Sequence, residues 1–188
     1  MQKSALVLPG RAADAGAMIQ PDTKDWTWVL DRPCPDCGLD TASFAKEDVG
    51  RLLRENADAW QPVLARPGAR DRPAPSTWSP LEYGCHVRDV CRLFLVRLDL
   101  MLTEQDPEFP NWDQDRTAVE ERYEIQDPAQ VAKELAEAAE KLASAFDNVS
   151  GEMWQRTGRR GDGARFTVET FARYFLHDPV HHLHDVHG

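Results

Sequence analysis

The sequence predicts an all-α protein: a four-helix bundle with a long crossover between its second and third helices, preceded by an N-terminal extension. Three observations predict it. Four stretches repeat apolar residues at helical spacing. Two of them open on strong start signals, Ser79-Pro80-Leu81-Glu82 and Asp127-Pro128. A proline-rich, acidic stretch, 104–126, separates the second from the third. The chain of 188 residues suits one domain with a sizeable core.

Residues 1–40 are expected to form the flexible extension and 41–188 the bundle. Residues 1 to about 20 show little pattern, and Met18 is a second candidate start. The apolar group Trp26–Leu30 (WTWVL) reads as a short segment packed on the domain. Next comes Cys34-Pro35-Asp36-Cys37-Gly38. Its Cys-x-x-Cys-Gly form is that of a zinc knuckle, in which a turn brings two thiolates to one ion. A tetrahedral site needs two more donors, for which His182 or His184 are candidates to be borrowed. A plain turn with free thiols and a redox pair are the other readings.

The first helix is expected from about Ser43 to Leu64, with Val49, Leu52, Leu53, Trp60 and Leu64 in register. Residues 65–77 read as a loop. The second helix starts at the Ser79–Glu82 capping box, with Trp78 and Tyr83 as its hydrophobic staple, and reaches about Thr103. His86 shares a stripe with Tyr83, Val90, Leu93 and Arg97, so it should face inward. The third helix runs from Asp127-Pro128 to about Phe146. Residues 148–166 contain a Gly/Arg turn, GRRGDGARF. Its arginines are either solvated charge or a contact for an anionic ligand. Thr167 caps the last helix.

That last helix carries most of the chemistry. Five of the six histidines lie in the final twelve residues: His177, His181, His182, His184 and His187. His177, His181 and His184 share one stripe with Tyr174. His182 points about a quarter-turn away. Buried imidazoles need partners, and a metal would satisfy several together. Pro179 interrupts the run and either kinks the helix or starts a new one.

Charge and composition exclude several classes. The formal charge is -10, so no basic face for nucleic acid is expected. No run approaches the roughly 20 apolar residues of a membrane span. The chain reads as cytoplasmic, with reduced cysteines. There is no phosphate-binding glycine loop and no dinucleotide fingerprint.

The stretch WSPLEYGCHVRD, with His86 and Asp89, followed by His177-Asp178-x-x-His181-His182, resembles the DinB/YfiT-like superfamily. The resemblance spans roughly residues 43–187. It implies a four-helix bundle holding a divalent metal, zinc or nickel, through one histidine of the second helix and two of the fourth. Carried over by position, the ligands are His86, His177 and His181. It also implies a homodimer. Members include S-transferases that use mycothiol or bacillithiol and mycothiol-dependent maleylpyruvate isomerases. The implied function is metal-dependent transfer from a low-molecular-weight thiol to a small electrophile, with Tyr83, Arg97 and Tyr174 as pocket walls. The alternatives are a metal-dependent hydrolase and a non-catalytic metal-binding protein. No general base is identifiable, although Asp89 and Asp178 are candidates to act as one or to orient a liganding histidine. Two departures stand out: Pro179 between the carried-over ligands, with His184 as the substitute, and the CPDCG segment outside the usual bundle, with Cys34 and Cys37 as additional ligands.

Overall fold

The computed structural model describes Ile19 and residues 24–188. The expected flexible tail and Met18 otherwise lie outside the described residues. Four long helices form the bundle: α1 (Val49–Leu64), α2 (Pro80–Thr103), α4 (Pro128–Asp147) and α5 (Val168–Asp185). A short α3 (Gln114–Glu120) lies in the crossover. Both α1 and α2 pack against α4 on one side and α5 on the other, so α1 and α2 sit on a diagonal. Trp60, Leu53, Leu98, Leu135, Phe146 and Phe175 fill the centre and are fully buried. Each such side chain contributes about 1.5–3 kcal/mol of burial free energy.

The capping signals operate as the sequence predicts. Ser79 accepts from the Glu82 amide, and the Glu82 carboxylate accepts from the Ser79 amide at 2.8 Å. The Trp78 and Tyr83 rings meet with centroids 5.5 Å apart. Thr167 caps α5 in the same reciprocal way with Thr170. The first helix begins later than expected, at Val49, because Lys46–Asp48 form a 3₁₀ turn. The last helix runs unbroken across Pro179, whose carbonyl accepts from Asn56 at 3.0 Å.

A small three-stranded sheet stands beside the bundle and was not predicted. Strand β1 (Glu108–Phe109) pairs parallel to β2 (Thr157–Arg160), which pairs antiparallel to β3 (Arg165–Thr167). Phe109 and Phe166 point inward. Gly158 is needed there, because a Cβ would sit 2.7 Å from the Met101 side chain. The strands place Arg160 beside α5.

The segment before α1 is docked on α5. Trp26–Leu30 form a 3₁₀ turn capped by Asp25. Thr41 donates to the Val29 carbonyl at 2.7 Å. From α5, Arg173 donates to the carbonyls of Thr41 and Phe44, and Glu169 pairs with Lys46 at 3.2 Å. Among the described residues, no helix is long and apolar enough to cross a membrane.

Candidate metal centre

Two groups of potential metal donors meet at the C-terminal half of α5. His86, Asp178 and His182 form one, and Cys34, Cys37, His177 and His181 form the other. In each, the donor atoms lie within 4.8 Å of one another. Each group takes an i, i+4 pair from α5, and the two pairs are offset by one residue. One residue is a rotation of about 100° on a helix, which turns one pair toward α2 and the other toward the N-terminal segment.

The set His86, His177 and His181 carried by the resemblance is therefore not gathered in the structure. His86 meets Asp178 and His182 instead, and the quarter-turn that set His182 aside is what brings it to α2. The thiols borrow His177 and His181, not His182 or His184. His184 is exposed and belongs to neither group. Asp89 is engaged elsewhere, with Arg88, Arg92 and Tyr123.

In the first group, His86 is almost fully buried and lies between Trp78 and Trp112, the latter stacked on it at 5.3 Å. Trp112 comes from the crossover and is held by its indole N–H donating to Thr117 at 2.8 Å. His86 Nε2 is 3.5 Å from Asp178 Oδ1. Tetrahedral N and O donors with bonds of about 2.1 Å lie about 3.4 Å apart, so this spacing suits a divalent cation. Asp178 Oδ1 and His86 Nδ1 are buried without hydrogen bonds among the described residues. Burial raises the Asp178 carboxyl, but His86 and His182 more than offset it and hold it down at about 2. It is a carboxylate at neutral pH. Asp185, which sequence inspection missed, lies 3.0 Å from His182 Nδ1 and 3.7 Å from His181 Nε2. A carboxylate on the far nitrogen fixes tautomer and ring orientation.

The second group sits under the N-terminal segment. Gly38 (φ 75°) closes a turn in which its amide donates to the Cys34 carbonyl at 2.9 Å. Cys34 Sγ lies 3.6 Å from His181 Nδ1. Burial, together with Cys34, pushes the Cys37 thiol up to about 11. Burial and the neighbouring His181 push His177 down to about 4, leaving a neutral imidazole. Its Nε2 is buried with no hydrogen-bond partner among the described residues.

A cavity of about 650 Å³ opens along α5, where Asp178 and His182 of the first group and His177 and His181 of the second all line it. Tyr83, Arg97 and Tyr174 line it too. Arg160, supplied by the hairpin, also lines it and donates to the Tyr174 hydroxyl at 2.9 Å. Of the arginines in and beside the Gly/Arg turn, Arg160 lines the cavity, together with its ion-pair partner Asp162. Arg156 caps carbonyls at the end of α2, while Arg159 and Arg165 pair with Asp106. Burial and the nearby Arg160 lower Arg97 to about 10, so it remains cationic at neutral pH.

No match exists among curated protein sequences. The structure resembles YfiT from Bacillus subtilis, described as "a probable metal-dependent hydrolase with an unusual four-helix bundle topology". The TM-score is 0.66 at 19% identity, covering 76% of this chain and 86% of YfiT. At that identity the likeness speaks to the fold. The sequence model of the DinB superfamily matches residues 52–186, from the first turn of α1 through Val186, and the chain belongs to that superfamily.

Proposed function

We propose that this protein is a metal-dependent enzyme acting on a small electrophile, with the cation held by His86, Asp178 and His182. The observation that carries it is the three-donor group at the edge of a large cavity. Three protein donors leave a coordination position for a reactant, whereas a structural site uses four. When bound there, a divalent cation supplies a nucleophile at neutral pH by lowering the pKa of a thiol or a water.

The chain's own residues divide the remaining work. Asp185 orients His182. Trp78 and Trp112 hold His86 and shield it from water. At the other end of the cavity stand two guanidinium groups: Arg97, which donates to the Pro110 carbonyl at 2.7 Å, and Arg160, which pairs with Asp162 at 2.8 Å and donates to the Tyr174 hydroxyl. This end suits a reactant bearing a carboxylate or similar anion. A volume of about 650 Å³ leaves room for two small reactants. That room supports transfer from a low-molecular-weight thiol, the reaction that the family resemblance implies. The second reading, hydrolysis by water, draws on the description of YfiT.

The test is a difference spectrum. The cobalt(II)-loaded protein is titrated with low-molecular-weight thiols, with the spectrum before addition subtracted. A new thiolate-to-cobalt band that is absent in His86→Ala supports thiol activation. No band, with turnover of an ester or amide panel that is lost in His86→Ala, supports hydrolysis. Neither band nor turnover overturns the enzyme reading.

A further inference from the structure

We propose that Cys34, Cys37, His177 and His181 form a second, closed tetrahedral site for a zinc-class cation, which ties the N-terminal segment to α5. It stands apart from the centre proposed above, shares no donor with it, and takes its thiols from outside the residues matched by the family model.

The donor set comes first. Two thiolates and two neutral imidazoles are a combination that structural zinc sites use, and four protein donors leave no position for a reactant. The geometry agrees. Zinc bonds of about 2.3 Å to sulfur and 2.05 Å to nitrogen, at a tetrahedral angle, place the two donors about 3.6 Å apart. Cys34 Sγ and His181 Nδ1 are 3.6 Å apart.

Four further features belong to a built site. His177 is 4% exposed, and its Nε2 has no hydrogen-bond partner among the described residues. A buried imidazole left so is unexpected unless that nitrogen binds something. The Cys34–Gly38 turn holds two reduced cysteines against α5 without a disulfide. His181 has its other nitrogen 3.7 Å from Asp185, the outer carboxylate that metal-bound histidines commonly have. The indole of Trp26 covers the group, with its centroid 5.4 Å from the His177 ring and 5.1 Å from that of His181.

Binding balances simply. The two thiols release two protons, the imidazoles bind through lone pairs, and nothing is oxidised. The consequence reaches the cavity. Trp26 and Asp36 line its wall and come from the segment that the cation would pin.

The test uses the full chain titrated with cobalt(II) chloride. A near-ultraviolet thiolate-to-cobalt band with intense tetrahedral visible absorption is expected. It should disappear in Cys37→Ser and His181→Ala and persist in His86→Ala. Absence of the band, or its survival in Cys37→Ser, overturns the proposal. So does a band lost in His86→Ala but kept in His181→Ala. Should the variants fail to fold, iodoacetamide labelling of the unaltered protein with peptide mapping decides. Two equivalents of zinc, one for each centre, should slow alkylation of half-buried Cys37 at least tenfold, and chelator should restore it. Equal labelling with and without zinc overturns the site.

Discussion

The two donor groups share a helix and the outer carboxylate of Asp185 and differ in what completes them. The first is built between helices, from α2 and α5, with three donors and a cavity beside it. The second joins a helix to a loop, with four donors and an indole cover. Helix-borne donors are held by the bundle core, so their spacing is set before any ligand arrives. Loop-borne donors depend on what pins the loop. The first group is therefore expected to remain assembled without a cation. The second contributes to how firmly the N-terminal segment is attached.

The largest effect should come from removing what both groups share. Phe175 is fully buried, with Phe94 at 5.0 Å and Phe146 at 6.0 Å between ring centroids. Phe175→Ala should cost about 3–5 kcal/mol, read as a lower urea midpoint. Metal affinity should fall at both groups together. A loss confined to one group would mean that α5 does not act as one rigid support.

Next in size is Asp185→Asn, which removes the carboxylate that lies near one histidine of each group. Metal affinity should fall about 10- to 100-fold at both, measured by competition with a chromophoric chelator. His182→Ala should weaken the first group alone. If Asp185→Asn acted on only one group, the contact at 3.7 Å to His181 would carry no weight.

Severing the loop from the helix should have a smaller effect. Arg173→Ala removes the donors to the Thr41 and Phe44 carbonyls. Proteolysis within residues 24–44 should accelerate, while the urea midpoint of the bundle moves by about 1 kcal/mol. Equal protection of the segment in variant and parent would show that Arg173 is not what holds it.

What was legible in the sequence was local. The Ser79 and Thr167 caps, the staple and the apolar stripes are each decided within a few residues, and the structure keeps them. The three-stranded sheet was not legible, because strands of two to four residues carry no period and β1 pairs with a partner some fifty residues away. The site was half legible. A histidine on α2 facing histidine-rich α5 could be seen. Its register could not, because Asp178 and His182 keep the same i, i+4 spacing as His177 and His181. One signal was available: a lone Cys-x-x-Cys needs two more donors, and the adjacent pair could supply them. Trp26, Trp112 and Arg160 reach the site from loops and a hairpin, where spacing says nothing about tertiary neighbours.

The smallest effect tests the support of the first group from the α2 side, where Glu82 lies one turn before His86. Its carboxylate is 3% exposed and accepts from Ser79 and Arg72. Burial raises the Glu82 carboxyl, but Arg72 and Ser79 outweigh it, so its pKa falls below the ordinary 4.5. A folded pKa below the unfolded one stabilises above about 4.5, and that stability is lost as pH falls through the folded value. Glu82→Gln should therefore cost about 0.5–1 kcal/mol at pH 7, because Arg72 is partly screened by solvent. The deficit should shrink as pH falls from 5 to 3, read from urea midpoints. A pH-independent deficit would assign the loss to packing and not to charge. Proteolysis of residues 24–44 should not change, since the segment is attached to α5 and not to the start of α2.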